Sequence, residues 1–399
     1  MTNELTVFYE EIRTEADRIL SWWRMYAPDP IHGGFAGEID QHNMPKVDAD
    51  KGSVLHARIL WTFSAAYRKL GHAEDLELAR KAFNYLVTHF YDLQLGGVYW
   101  ALKPNGDISN NRKQIYALAF AIYGLAEYFK ITGDHAALDP AIHLYQAIEY
   151  HSQDPEFGGY FEAYSNEWGL LDDLRLSEKD RNDPKTMNTH LHLIEAYANL
   201  YLVWREPQLK VSIERLLEIF DKKIIQPNHH LALFFDKAWQ KTSEAISYGH
   251  DIEASWLLHE CAHILQDPDL YIYWSAKAIQ IANAATEGIQ HYGSFIHEYD
   301  PEHLHTDAHR EWWVSAEGMV GFINAYLLTG DELYLQKVSR LWEFTKSHLL
   351  DHESGEWYWG VHADYTKMAE YKMGFWKCPY HNVRACFEIM ERIEQIKSK

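Results

Sequence analysis

The chain has 399 residues, of which 47% are hydrophobic, and its 37 Lys and Arg residues are outnumbered by 58 Asp and Glu residues. The net charge of −21 argues against a nucleic-acid or anionic-membrane partner, because both attract basic surfaces. The three cysteines lack metal-ligand spacing, which indicates a reducing compartment. The N-terminal stretch is too charged for a signal peptide, and no apolar run is long enough to cross a bilayer. We therefore expect a cytoplasmic protein, and a monomer.

Six aromatic loop segments recur along the chain at intervals of roughly 60 residues. They are residues 32–35, 95–99, 157–161, 231–235, 292–295 and 355–358, and all but the fourth contain glycine. Evenly repeated units indicate one supersecondary module that is used several times. Each interval carries two amphipathic stretches and no convincing strand. The repeated module is therefore predicted to be a pair of helices.

The helix pairs are predicted in chain order from periodicity and from helix end signals. Outer helices are expected near 4–27, 73–91, 136–151, 208–225, 269–289 and 332–350, and inner helices near 52–70, 112–132, 184–203, 245–266, 309–329 and 377–397. Pro184 follows the capping residue Asp183 at one start, and Gly71, Gly133 and Gly330 stand where helices should stop. Six helix pairs predict an all-α (α/α)6 toroid, in which aromatic, glycine-rich loops line a central funnel. Because no flexible linker divides the chain, a single domain is expected over residues 1–399.

Aromatic residues are abundant, with 15 Trp, 26 Tyr and 17 Phe. Many of them fall inside the repeated loops, where helix packing makes the least demand for rings. Flat aromatic faces beside carboxylates and histidines suit the apolar faces and hydroxyl groups of a sugar. The funnel is therefore predicted to bind a carbohydrate.

Polar residues gather at the first turns of the predicted inner helices, which converge on the funnel floor. They are Arg58, Tyr116, Asn188, His190, His192, His250, Glu253, Glu311, Trp312, Trp313, Trp376 and His381. His250 and Glu253 are three residues apart and share a helix face, so Glu253 is expected to accept a ring N–H of His250. His190 and His192 cannot share a face. We expect His192 to face the funnel, because Asn188 lies on its stripe.

Metal binding and glycoside hydrolysis also use residues of these types. The histidine clusters at 229–230 and 303–309 lack a regular carboxylate or cysteine complement, so no metal is expected. Glycoside hydrolysis needs two carboxyl groups on either side of one bond, and Glu253, Glu298, Glu311 and Asp180 are available. The set nevertheless contains more histidine than carboxylate, which favours proton transfer. A toroidal hydrolase and a non-catalytic sugar-binding protein remain as alternatives.

The chain resembles the N-acylglucosamine 2-epimerase superfamily, and within it the cellobiose 2-epimerases, along essentially its whole length. The resemblance lies in KTMNTHLH (185–192), GHDIEASW (249–256), EWW (311–313) and WKCPYH (376–381). It implies epimerisation without a cofactor at C2 of the reducing-end sugar of a β-1,4-linked disaccharide, such as cellobiose to glucosylmannose or lactose to epilactose. A mannose aldose–ketose isomerase and an N-acetylglucosamine 2-epimerase are alternatives within the same superfamily.

The resemblance also implies a role for each matching residue. His250 and His381 would remove and return the C2 proton through a cis-enediolate, with Glu253 polarising His250. His192 and Arg58 would lie near O1 and O2 and stabilise the developing charge.

Further residues would bind the sugar. Stacking on Trp313 and Trp376 is implied, as are contacts from Asn188, Tyr116, Asp180 and Glu298. The long third repeat, residues 168–183, would shape a second sugar subsite and so favour a disaccharide.

Overall fold

The computed structural model describes residues 2–178 and 180–398, and within these ranges twelve α-helices alternate around a ring. In chain order they are α1 (Thr2–Tyr26), α2 (Ser53–Leu70), α3 (Ala73–Tyr85), α4 (Ile115–Thr132), α5 (His135–His151), α6 (Met187–Tyr201), α7 (Pro207–Ile219), α8 (Tyr248–Ile264), α9 (Pro268–Ala285), α10 (Trp312–Thr329), α11 (Glu332–Phe344) and α12 (Tyr380–Ser398). The even-numbered helices pack successively against one another, and α12 contacts both α10 and α2, which closes the ring. The predicted (α/α)6 toroid is confirmed.

Inner and outer helices differ in how much of their surface is buried. Helix α4 is buried without interruption from Ile115 to Tyr128, because it packs against both neighbouring inner helices and against α5. Helix α3 buries one face, through Ala79, Ala82 and Phe83 among others, and leaves the opposite face to solvent. The buried apolar side chains form one continuous core. None of the described helices is both long enough and apolar enough to cross a membrane.

Helix ends follow the local signals of the sequence. Gly71, Gly133 and Gly330 end α2, α4 and α10 with φ of 75°, 66° and 73°, a left-handed conformation that glycine adopts without strain. Helices α3, α7 and α11 each continue for five residues as a π-helical turn, over Leu86–Phe90, Phe220–Ile224 and Thr345–Leu349. These turns account for the predicted helices that reach 91, 225 and 350.

Short strands, which the sequence did not predict, stand before the inner helices. They are β1 (Lys51–Gly52), β2 (Ala101–Leu102), β3 (Ile108–Asn110), β4 (Lys113–Gln114), β5 (Ala163–Tyr164), β6 (Lys185–Thr186), β7 (Phe234–Phe235), β8 (Ile246–Ser247), β9 (Glu298–Asp300), β10 (His305–Asp307), β11 (Arg310–Glu311) and β12 (Gly360–Val361). As a result, most inner helices begin later than predicted.

The strands join successive repeats. The strand before an inner helix pairs antiparallel with the strand that follows the aromatic loop of the next repeat, as in β1–β2, β4–β5, β6–β7, β8–β9 and β11–β12. A single bridge between Ile39 and Met373 joins the first repeat to the last. Runs of two or three residues carry too little alternation to be read from sequence, because their pairing is made by a partner in another repeat.

Four Lys–Asp pairs, each with a buried lysine, link the aromatic loops to the segments before the inner helices. They are Lys51–Asp29 at 2.8 Å, and Lys113–Asp92, Lys185–Asp154 and Lys372–Asp351 at 2.7 Å each. Each aspartate also accepts hydrogen bonds from two backbone N–H groups of its own loop. These pairs fix the loops at the end of the ring where the inner helices begin.

Candidate active site

The N-terminal ends of the inner helices, together with the segment before α12, bring seven of the predicted site residues together. Arg58 donates a 2.8 Å hydrogen bond to the hydroxyl of Tyr116, whose ring lies 5.1 Å from that of His192. On the opposite side, the ring of Trp313 lies 4.9 Å from His250 and 5.7 Å from His381. The seventh residue, Trp376, lies 6.2 Å from Tyr116. The predicted convergence is therefore present in the structure.

His250 is held by a neighbour that the sequence analysis did not select. Its Nδ1 lies 2.8 Å from the hydroxyl of Ser247, which ends β8 directly before α8. Burial lowers the pKa of His250 to about 3, and the nearby His192, His297 and His381 act in the same direction. The imidazole is therefore neutral at neutral pH, and its Nε2 is the nitrogen left for proton transfer.

The expected pairing of Glu253 with His250 is wrong. Glu253 lies one turn deeper in the ring and accepts a 2.9 Å hydrogen bond from Nη2 of Arg384, on α12. The cause is tertiary: a buried guanidinium from the neighbouring side of the ring occupies the place next to this carboxyl group. His250, at the helix start, bonds to Ser247 instead.

His381 lies against the carboxyl group of Glu317, on α10. Its Nδ1 is 2.7 Å from Oε1 of Glu317 and 3.9 Å from Oε1 of Glu253. Burial lowers the pKa of His381 well below its ordinary value, and the positive charges of Arg58 and Arg384 reinforce this effect. His381 is thus also neutral, with Nδ1 engaged and Nε2 left for chemistry.

Arg384 links these groups to the other side of the funnel. Its guanidinium donates to Glu195, Glu253 and Glu317, which come from three different inner helices. Glu195 in turn lies 2.9 Å from Nδ1 of His192. Burial alone would raise the pKa of Glu195. The charge of Arg384, and to a smaller extent the contact with His192, lowers this pKa to about 2.

Arg58 brings a positive charge to the funnel floor and is 2% exposed. Its guanidinium lies 4.0 Å from the ring centre of Phe120 and 4.7 Å from that of Tyr380. Rings on its sides and a hydrogen bond to Tyr116 fix its direction without neutralising its charge. Such a fixed cation stabilises an oxyanion that forms beside it.

His190 and His192, which both lie near the start of α6, differ as expected. His190 lies outside the cluster, where it accepts a hydrogen bond from the backbone N–H of Tyr160 and bonds to the carbonyl of Thr186. His192 faces Tyr116, as expected from its stripe. Asn188 on that stripe has a buried Oδ1 without a hydrogen-bond partner in the described structure, a state that a bound hydroxyl group would relieve.

Asp180 and Glu298 are not part of the contacts that join the seven residues. Asp180 accepts hydrogen bonds from the N–H and the hydroxyl of Ser177, so its carboxylate organises its own loop. Glu298 lies in β9, directly opposite Ser247 of β8. It therefore lies one strand away from the start of α8.

Several residues of the cluster were missed by the sequence analysis: Glu195, Ser247, His297, Glu317, Tyr380 and Arg384. A signal existed for three of them, because Glu195 follows His192 by three residues, Glu317 follows Trp313 by four and Arg384 follows His381 by three, which places each on the face of a selected residue. His297 had no such signal, since a loop carries it to the ring of Trp313, 6.0 Å away.

The described residues contain two groups with the geometry of a metal site. Glu253, Glu317 and His381 have ligand atoms within 4.8 Å of one another, but the guanidinium of Arg384 already supplies a cation to both carboxyl groups. Asp300, Glu302 and His303 form the other group, on an exposed hairpin. The histidines of the predicted clusters do not converge, since His230 bonds to Asp251 and His303 to Asp300.

Comparison with known proteins identifies the family of the chain. A family model described as N-acylglucosamine 2-epimerase (GlcNAc 2-epimerase) matches residues 33–385. A cellobiose 2-epimerase of Bacteroides fragilis is 47% identical over 389 residues, which are 96% of this chain and 99% of that protein. A cellobiose 2-epimerase of Ruminococcus albus is 38% identical over 387 residues, covering 96% of this chain and 98% of that protein. The solved cellobiose 2-epimerase from Bacillus thermoamylovorans B4167 superposes with a TM-score of 0.93 at 39% identity, covering 97% of this chain and 100% of that one. The chain therefore belongs to the N-acylglucosamine 2-epimerase family and is a sugar epimerase.

Proposed function

We propose that this enzyme epimerises C2 of the reducing-end sugar of β-1,4-linked disaccharides such as cellobiose and lactose, without a cofactor. The observation that carries the proposal is a pair of neutral imidazoles, His250 and His381, on different helices and both against the ring of Trp313. Inversion at a carbon that loses and regains a proton needs a base on one face and an acid on the other. The names of the relatives support the choice of cellobiose.

The reaction starts when the pyranose ring opens and exposes an aldehyde at C1. The carbonyl group acidifies the C2 proton, and the neutral Nε2 of one histidine removes it to give a cis-enediolate. Rotation about C2–C3 presents the opposite face, to which the other histidine returns a proton. Each positioned proton-transfer group of this kind contributes typically about 10²–10⁴-fold.

The remaining cluster residues have roles that follow from their charge and shape. Arg58 and His192 stabilise the negative charge on O1 and O2 of the enediolate. Trp313 and Trp376 stack on sugar rings, while Asn188 and Tyr116 bind hydroxyl groups.

The second sugar is placed at the rim of the funnel. Loop 168–183, with Asp180, and strand β9, with Glu298, form the subsite for the non-reducing sugar. Gln114 supports the part of this loop around Leu174 and Arg175, because its Nε2 donates to their carbonyls at 3.3 and 2.9 Å.

Proton NMR of the purified enzyme with cellobiose in D2O, without added metal or nucleotide, tests the proposal. We expect a new mannose-type anomeric signal and deuterium at C2 of the reducing-end sugar. Formation of a ketose would instead identify an aldose–ketose isomerase, and free glucose a hydrolase. An unchanged spectrum with cellobiose and with lactose would contradict the proposed substrate class.

A further inference from the structure

Three carboxyl groups surround one guanidinium at the base of the site. Glu195, Glu253 and Glu317 all accept hydrogen bonds from Arg384, and each of the four side chains is at most 5% exposed. Three carboxylates beside one guanidinium would leave a buried excess of negative charge. Such an excess is relieved when one carboxyl group keeps its proton.

We propose that Glu253 and Glu317 share one proton, and that this proton passes to Nδ1 of His381 when the Nε2 of His381 protonates the substrate. The delivery step rests on the function proposed above, whereas the shared proton does not.

The contacts indicate which carboxyl groups are involved. Glu195 is stabilised as an anion, since it accepts from Arg384 and from the hydroxyl of Tyr380 and contacts His192. Glu253 and Glu317 instead face each other, and the Oε1 atom of each contacts the same Nη2 of Arg384, at 2.9 and 2.7 Å. Two like-charged groups that share one donor favour a singly protonated pair.

Within the pair, Glu253 receives fewer stabilising contacts. Glu317 also accepts a hydrogen bond from Nε1 of Trp256 at 3.0 Å and contacts Nδ1 of His381. Burial raises the pKa of both carboxyl groups, and the charge of Glu317 raises that of Glu253 further. In the resting enzyme the proton therefore resides mainly on Glu253.

The shared proton resolves a conflict at His381. An epimerase needs an acid, yet a charged imidazolium at this position is disfavoured by burial and by two guanidinium groups. Further titratable groups from the surrounding helices face His381, Arg384 and the Glu253–Glu317 pair. They are Arg58 on α2, Tyr116 and Tyr123 on α4, His192 and Glu195 on α6, His250 on α8, and Tyr380 on α12. A proton stored on a carboxyl group avoids the charged imidazolium.

The proton transfer balances without any added reagent. In the acid-ready state the shared proton has moved from Glu253 to Glu317, which donates a hydrogen bond to Nδ1 of His381, while Nε2 of His381 carries its own proton. Nε2 protonates C2 of the enediolate while Nδ1 takes the proton of Glu317, so the imidazole stays neutral and the pair becomes doubly anionic beside Arg384. The proton that His250 removed from the substrate returns through solvent in the open funnel to restore the first state.

Infrared difference spectra of the full-length enzyme at neutral pH test the shared proton without substrate. In the difference spectrum of wild type minus Glu253→Gln, we expect the carbonyl band of a protonated carboxylic acid that the variant has lost. This band should shift on 13C labelling of glutamate. Glu127→Gln is the matched control, because Glu127 is equally buried but paired with Arg68 and Lys130 at 2.7 and 2.8 Å. The control should remove carboxylate bands only.

The delivery step is tested by kinetics on the same variants. The glutamine side chain keeps the shape of Glu253 but holds no transferable proton, so we expect kcat to fall by about 10²-fold while KM changes little. If neither Glu253→Gln nor Glu317→Gln removes an acid band, the inference is overturned. If the band is present but the wild type does not epimerise any disaccharide, the proposed function fails and the shared proton stands.

Discussion

The two histidines proposed for proton transfer are both neutral but differ in their partners. His250 bonds to the hydroxyl of Ser247, a neutral group that is both donor and acceptor. His381 bonds to Glu317, which belongs to a network of charged groups. We therefore infer that His250 gains and loses protons directly with solvent and substrate, while His381 works together with the carboxyl groups behind it.

Replacing either histidine by asparagine should abolish epimerisation and leave the fold intact. Asparagine keeps a polar group of similar reach but cannot take up a proton, so kcat should fall by about 10²–10⁴-fold, as expected for loss of one acid–base group. The measurement is the initial rate of epimer formation from cellobiose, with circular dichroism to check the fold. His303→Asn, on the exposed hairpin, is the control and should keep full activity. Activity within tenfold of wild type in His250→Asn or His381→Asn would reject that residue.

For single residues, the sequence predicted the helix face on which a side chain lies better than it predicted the group that the side chain contacts. The spacing of Asn188 and His192 correctly placed both on one stripe, because side-chain direction on a helix depends on local geometry alone. The same rule failed for Glu253, whose neighbour is set by Arg384, 131 residues away along the chain. Spacing along one helix says which way a residue points, but the group that it meets comes from another helix.

The short strands and the Lys–Asp pairs are the elements that hold the active-site loops. A buried lysine before an inner helix reaches an aspartate in an aromatic loop, and that aspartate stands four residues before a glycine with a left-handed backbone, as in Asp92 and Gly96. The side chain of Asp92 also accepts from the N–H groups of Gln94 and Leu95. The repeated Asp-x-x-x-Gly pattern was visible in the sequence, but its lysine partner was not.

Removing only the lysine of one of these pairs should destabilise the enzyme more than removing both charges. Lys113→Met leaves the buried carboxylate of Asp92 without its cation, at a cost of about 3–5 kcal/mol. Adding Asp92→Asn removes the uncompensated charge and retains an acceptor for the loop N–H groups, so most of the stability should return. Urea unfolding of both variants measures the difference. A single variant as stable as wild type would show that the pair contributes nothing.

The whole ring is closed by contacts between its first and last repeats. Helix α1 packs on α12, the indole of Trp357 donates to Glu15, and the indole of Trp23 donates to Glu356. Glu356 stands where three of the six repeats have a second glycine, and it has φ of 61°. Its carboxylate also accepts from Lys377 and Asn382, so the ring closure directly supports the segment that carries Trp376 and His381.

Packing within the ring also buries ionisable groups, which makes stability depend on pH. Burial lowers the pKa of His56 to about 3, and this side chain is fully buried against Tyr85 and Phe90. The unfolded chain takes up the proton near pH 6.5, so the stability that neutral His56 contributes above that pH is lost as the pH falls toward 3. The expected loss is about 1.4 kcal/mol for each pH unit below 6.5.

A comparison of variants isolates this contribution. His56→Phe keeps a flat ring in the same packing but cannot bind a proton, so stability measured by urea unfolding should fall less steeply between pH 6.5 and 4.5 than in the wild type. His135→Phe, at an exposed position on α5, is the control and should leave the slope unchanged. Equal slopes in wild type and His56→Phe would contradict a neutral buried histidine.

The sequence by itself determined the helix pairs, the glycines that end α2, α4 and α10, the sixfold repetition and the set of residues near the inner helix starts. These features depend on periodicity, capping and spacing, which act over a few residues. Only the tertiary structure decided the strand pairing between repeats, the Lys–Asp pairs and the grouping of three carboxyl groups around Arg384. These contacts depend on tertiary packing, because it brings together groups that lie from 21 to 189 residues apart in the chain and excludes the water that would otherwise solvate them.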